Sequence, residues 1–186
     1  MKKAVILGLI VFLFSPALFS KEIAGVKVPE SITVGKTKLV LNGAGARKKF
    51  FMKMYVGALY LAERNSSPDK IIKSDEPMAI SLHITSSLIT SERMEEATRE
   101  GFQNSTGGNT ASISGEIEKF IAVFKEKISE NDVFELIYSP NEGVEVIKNS
   151  SSKTIIKGLE FKKALFGIWL CDKPAQKSLK QEMLGK

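Results

Sequence analysis

The chain has 186 residues, 43% hydrophobic and 26% charged, the proportions of one core-forming domain rather than a disordered or fibrous chain. Its formal charge of +6 is mild, and no dense Lys/Arg block with interleaved aromatics occurs, which argues against nucleic acid as a partner. Cys171 is the single cysteine and His83 the single histidine, so an internal disulfide is excluded and no metal-ligand set or cofactor motif is expected.

Met1-Lys-Lys, the apolar run Ala4–Phe14 and the ending Ser15-Pro-Ala-Leu-Phe-Ser20 have the charged start, apolar centre and small-residue end of a secretory signal peptide. The run is shorter than the roughly 20 residues that cross a bilayer. Residues 1–20 are therefore read as a cleaved signal peptide and 21–186 as the mature domain, exported to the periplasm and touching membrane only through the transient signal. Glu22–Val28 then alternates weakly up to Pro29-Glu30, and Ile32–Val34 and Thr37–Leu41 read as two short strands around a Gly35 turn. Asn42-Gly43, extended by Gly45, reads as a further turn, since these residues tolerate positive φ.

Lys48–Leu61 carries aromatic and branched residues without an internal turn signal and predicts a central strand buried on much of both faces. On such a strand Arg47, Phe51, Tyr55 and Leu59 share one face. Eight residues of extended chain would hold Arg47 and Tyr55 roughly 26 Å apart. They can form one site only if the chain bends or folds back between them.

Ser67-Pro68-Asp69 opens a short helix to about Lys73, with proline at its first position. Met78–Thr85 alternates Ile80, Leu82 and Ile84 against Ser81, His83 and Thr85 as a half-buried strand, which leaves His83 on the opposite face without a nearby catalytic partner. From Thr90 a helix with Glu92 in its first turn runs to about Asn104, followed by a Gly/Asn/Ser/Thr loop over Thr106–Ser112. An amphipathic helix over Gly115–Ile128 presents Ile117, Phe120, Ile121 and Phe124 on one face. Val133–Ser139 and Val144–Lys148 form a hairpin around Pro140–Gly143, Lys153–Lys157 adds a strand, and helical spacing resumes from Leu159 to Trp169. A last short helix follows Asp172-Lys-Pro174 and ends at Leu184-Gly185, and Cys171 reads as a small buried residue. Strands, a helical middle, more strands and then helices give an α+β class with a largely antiparallel sheet.

Four segments carry a resemblance: Lys38-Leu-Val-Leu-Asn-Gly-Ala-Gly-Ala-Arg47, Lys53-Met-Tyr-Val-Gly-Ala-Leu-Tyr-Leu61, Arg99-Glu-Gly-Phe102 and Gly167-Ile-Trp-Leu-Cys-Asp-Lys-Pro174. Together, behind a signal peptide, they resemble the exported bacterial branch of the chalcone isomerase-like family, over about Ala24 to Gly185. The resemblance implies an open-faced β-sandwich, a large antiparallel sheet with a helical layer on one face and a ligand cleft between them. It also implies that Arg47 matches the arginine that stabilises developing negative charge in the plant isomerases, where a guanidinium aimed at an enolate favours the transition state.

The family's strand threonine falls on Tyr55, and its helix tyrosine is missing, because no tyrosine lies between Tyr60 and Tyr138. An arginine paired with a tyrosine resembles instead the family's non-catalytic fatty-acid-binding branch. There the two hold a carboxylate through a charge-assisted fork and a neutral donor. The expected function is therefore an exported binding or accessory protein holding a small lipophilic carboxylate with Arg47 and Tyr55, and no catalytic residue is assigned. Two alternatives stand beside it: an isomerase acting on a chalcone-like enone through Arg47, and a structural or partner-binding envelope protein.

Overall fold

The computed structural model describes residues 20–186. The expected signal peptide, Ser20 apart, lies outside the described residues. Ala24 and Gly25, at φ +54° and +85°, fold the weakly alternating start into a hairpin of β1 (Ser20–Ile23) and β2 (Val26–Pro29), where a single alternation was read. β3 (Ser31–Val34) turns at Gly35 into β4 (Thr37–Lys49) as the sequence predicts. β4 does not stop at Asn42-Gly43, however. The residues read as a turn lie inside the strand, and Asn42 is an inserted bulge residue, since Leu41 pairs with Tyr60 and Gly43 with Leu59.

Lys48–Leu61 is likewise not one strand. The chain reverses at Phe50-Phe51, and β5 (Met52–Leu61) returns antiparallel to β4 with Lys49 opposite Met52. A two-residue loop without Gly, Asn or Asp gave no turn signal to read.

α1 (Pro68–Lys73), β6 (Met78–Ile84) and α2 (Ser91–Ser105) follow the sequence reading, with the Thr90 hydroxyl capping the Arg93 amide at the start of α2. The loop after α2 contains a 3₁₀ turn at Ala111–Ile113. α3 (Ser114–Ala122) is shorter than its amphipathic pattern and passes into a 3₁₀ turn at Val123–Lys125. β7 (Val133–Ser139), β8 (Gly143–Lys148), β9 (Ser151–Ile156), α4 (Leu159–Leu170) and α5 (Lys177–Met183) complete the chain.

β3 to β9 form one seven-stranded antiparallel sheet in sequence order. Its front face carries the main core, into which Phe102 of α2, Phe120 of α3 and Phe161 and Phe166 of α4 are almost wholly buried. Each such ring contributes about 2–3 kcal/mol by leaving water. On the back face, Leu39, Leu41, Ala44 and Ala46 of β4 join Val56, Ala58 and Tyr60 of β5 beneath the β1–β2 hairpin, where the Tyr60 hydroxyl donates to the Pro29 carbonyl at 3.0 Å. The bulge at Asn42 keeps Leu41 and Ala44 on the same side despite their spacing of three.

The glycines of β4 serve packing. A Cβ on Gly43 would run into the Glu182 and Met183 carbonyls, and one on Gly45 into the Glu182 side chain, so α5 lies directly on this part of the strand. The Asn42 amide closes the contact, donating to the Met183 carbonyl at 2.8 Å and the Asn65 carbonyl at 3.0 Å while accepting from the Asn65 amide at 2.8 Å. Gly101 and Gly167 have the same use where α2 crosses α4, since added Cβ atoms would meet Ile168 and Ser105. Near the start of α4, Lys162 is 0% exposed, and its ammonium donates to the carbonyls of Ile71, Ile72 and Ser74 at 3.0, 3.0 and 2.6 Å. It caps the C-terminal end of α1, where a cation is favoured.

Candidate functional site

Folding at Phe50-Phe51 brings the two residues singled out in the sequence together. Arg47 and Tyr55 are directly paired across β4 and β5, and the guanidinium lies 5.8 Å from the centre of the Tyr55 ring. Directly opposed residues on neighbouring strands share a face, and here it is the front face under the helices. The two are close enough to act on one ligand group.

Tyr55 is 4% exposed. Its hydroxyl oxygen accepts the Trp169 indole N–H at 2.9 Å. Because that neighbour is a donor only, the tyrosine's own O–H is left to point elsewhere. Burial pushes the phenol's pKa up, while Arg47 and the indole hydrogen bond pull it the other way with less effect. The hydroxyl is therefore a neutral donor at physiological pH. Arg47 is half-buried, and among the described residues its guanidinium makes no hydrogen bond or ion pair, so its fork of donors is free.

Behind these groups, between the sheet and α2, α3 and α4, lies a chamber of about 120 Å³. Leu82, Met94, Phe120, Phe124, Ile168 and Trp169 give it apolar walls, and Thr98, Glu100 and Asn104 contribute the polar atoms of α2. In front of them a groove of about 700 Å³ opens between the β4–β5 hairpin and the start of α2, lined by Phe50, Met52, Met54, Leu88, Ile89 and Arg93 among others. Arg47, Tyr55, Met94, Ala97, Glu100 and Ala175 border both spaces. The paired side chains thus stand at the throat between a small apolar chamber and a wider mouth.

Such a throat suits an amphiphile with one anionic end. Two donors converge there, one charged and one neutral, and the chamber beyond offers mainly hydrocarbon contact. A dry apolar cavity of about 150 Å³ holds a benzene ring, so the chamber, at about 120 Å³, takes less than six carbons of a tail and leaves the rest of the ligand to the groove.

Trp169 is the site residue that the sequence reading missed. In the sequence it only ends the helical spacing that starts at Leu159, and the fold alone places its N–H against Tyr55. His83 takes no part; it lies on the back of β6, away from the chamber. Arg99, from one of the resembling segments, is bound at the surface by Glu95 and Glu118 and ties α2 to α3.

A family model described as chalcone isomerase-like matches residues 20–185. Among solved structures, a fatty-acid binding protein from Arabidopsis thaliana superposes with a TM-score of 0.68 at 18% identity, covering 86% of this chain and 92% of that one. At that identity the likeness is one of fold. No curated protein matches the chain in sequence.

Proposed function

The chain belongs to the chalcone isomerase-like family, and from that premise we propose that it is an exported, non-catalytic binding protein for a small lipophilic carboxylate such as a fatty acid. The observation that carries the reading is the throat: the free Arg47 fork and the spare Tyr55 O–H, side by side at the entrance of an apolar chamber. A carboxylate seated there accepts a charge-assisted fork from Arg47 and one hydrogen bond from Tyr55, and its tail leaves water on entering the chamber. That the structural neighbour from Arabidopsis thaliana is a fatty-acid binding protein supports the same reading. Export to the periplasm rests on the charged, apolar and small-residue pattern of residues 1–20.

Arg47 is also suited to steadying an enolate, so cyclisation of a chalcone is the reading to set against this one. Calorimetric titration with octanoate, together with a chalcone turnover assay, separates them. Octanoate is expected to bind the wild type without chalcone turnover, and Arg47→Ala is expected to weaken binding by about 30-fold, the worth of a charged hydrogen bond pair at about 2 kcal/mol. Absence of binding by the wild type, or an Arg47→Ala variant that binds as tightly, would remove the proposal. Chalcone turnover that depends on Arg47 would replace it with the isomerase.

A further inference from the structure

The tip of the β4–β5 hairpin is built against the ordinary preferences of a soluble protein. Phe50 is 83% exposed and Phe51 fully exposed, at the point of the molecule farthest along these two strands. Phe50 also has φ +55°, a left-handed conformation that a bulky side chain adopts at a steric cost and that Gly or Asn would adopt with little. A glycine there would ease the turn and hide no ring, yet the chain places an aromatic in it. Met52 and, from the loop before α2, Leu88 extend the apolar surface beside the rings.

The charge around this surface has one sign along the hairpin. Lys48, Lys49 and Lys53 flank the two rings and are exposed, and no acidic residue lies between Arg47 and Tyr55. Arg93 stands across the groove on α2, held by the Leu88 carbonyl at 2.9 Å. The acids of the groove, Glu96 and Glu100, belong to its α2 wall rather than to the hairpin.

We propose that the hairpin tip docks the protein on an anionic lipid bilayer, with Phe50 and Phe51 entering the interface and the lysines lying at the level of the lipid phosphates. Exposed aromatic and apolar side chains ringed by Lys/Arg have the chemistry of an interfacial membrane contact: buried apolar area supplies part of the attraction and anionic headgroups the rest. A water-exposed protein partner needs no such ring of single-sign charge. The location adds a consequence. Phe50, Met52 and Leu88 are also the rim of the groove that leads to Arg47 and Tyr55, so a docked molecule would hold the cleft mouth against the bilayer. Exchange of an amphiphilic acid between membrane and chamber rests on the binding function proposed above; the docking itself does not.

The test is flotation of ligand-free protein with vesicles of phosphatidylcholine alone and with 30% phosphatidylglycerol, run beside octanoate titration in solution. The wild type is expected to float with the anionic vesicles, to float at least about tenfold less with neutral ones, and to be released by about 0.5 M salt. Phe50→Ser combined with Phe51→Ser should lower partition onto anionic vesicles about tenfold or more, with unchanged far-ultraviolet circular dichroism reporting that the sheet is intact. Phe51→Ser alone, outside the chamber and the groove, should lose part of the vesicle binding and keep octanoate affinity. Arg47→Met should do the reverse. Loss of octanoate binding throughout, with vesicle binding intact, overturns the ligand reading and leaves docking standing. No flotation by the wild type, or equal flotation by the double serine variant, overturns docking whatever octanoate does.

Discussion

Asn42 and Arg47 stand five positions apart on the same strand, β4, and differ in what their polar atoms do. The Asn42 amide is fully used, with two donated hydrogen bonds and one accepted, binding β4 to the end of α5 and to the loop after β5. The Arg47 guanidinium lies over the Tyr55 ring and, among the described residues, has no hydrogen-bond or ion-pair partner. The contrast extends to their surroundings: Gly43 and Gly45 beside Asn42 let a helix settle onto the backbone, whereas the strand beyond Arg47 runs out into an exposed hairpin. A buried polar group with all its partners specifies the fold; one left with spare donors at the edge of a cavity is available to a ligand.

Lys162 belongs with Asn42 in this division, and its replacement should have the largest effect on stability. Lys162→Ala leaves three carbonyls at the end of α1 without their donor and a hole in α4, at a cost of about 4 kcal/mol in urea unfolding. The same residue gives a pH signature. Burial lowers its pKa from 10.5 to about 8, opposed by the nearby Asp75 carboxylate and reinforced by Lys163. The folded state therefore gives up this proton near pH 8, while the unfolded chain keeps it to about 10.5. Between those values the unfolded state binds more protons, so the contribution of Lys162 to stability rises with pH, is complete above the upper value and is lost as pH falls through the lower one. Wild type minus Lys162→Met, measured by urea unfolding across that window, should show a rise of up to about 3 kcal/mol. A flat difference would mean that the ammonium is held as well as it is in water.

Gly43→Val tests whether the glycines of β4 serve packing or a turn. The added side chain meets backbone atoms of Glu182, Met183 and Gly185, which cannot rotate aside. The expected loss is about 3 kcal/mol, with α5 displaced, seen as faster hydrogen exchange at Leu184 and Gly185. An Arg47→Ala chain, by contrast, should unfold within about 0.5 kcal/mol of wild type while losing its acid ligand. If Arg47→Ala proved as destabilising as Gly43→Val, the division between the two parts of β4 would not hold.

This division also marks how far the sequence could be read. Turns and caps made from local chemistry were legible: Gly35 between β3 and β4, Pro140–Gly143 between β7 and β8, and Thr90 at the start of α2. The antiparallel α+β class was legible too, and so was the choice of Arg47 and Tyr55 as candidates, but their pairing across two strands depends on a reversal the sequence does not signal. Asn42-Gly43 was not, because its glycine answers to a helix some 140 residues later rather than to a local turn. The Phe50-Phe51 reversal was hidden for the opposite reason: its residues are poor turn formers, and what sets them there is not turn propensity. Nothing in the sequence sets Lys162 apart from Lys163, since only the packing of α1 against α4 encloses the first and leaves the second half-buried.

The smallest effect on ligand binding, and the finest test of the contrast, is expected at Tyr55, which has a part in both kinds of role. Its oxygen serves the fold by accepting the Trp169 N–H, and its hydrogen is the part left for a ligand. Tyr55→Phe removes both while keeping the ring under Arg47. The indole N–H then loses its partner within the core, at a cost of about 1 kcal/mol in unfolding. The ligand loses one neutral hydrogen bond, which should weaken octanoate about fivefold, well short of the loss in Arg47→Ala. Adding Trp169→Phe to Tyr55→Phe removes the orphaned donor. The double variant should therefore be less destabilised than the two single changes would give by addition, while its octanoate affinity stays at the Tyr55→Phe level. If the second change restored affinity as well, the tyrosine would act on the ligand through the position of Trp169, and its own O–H would not be the donor.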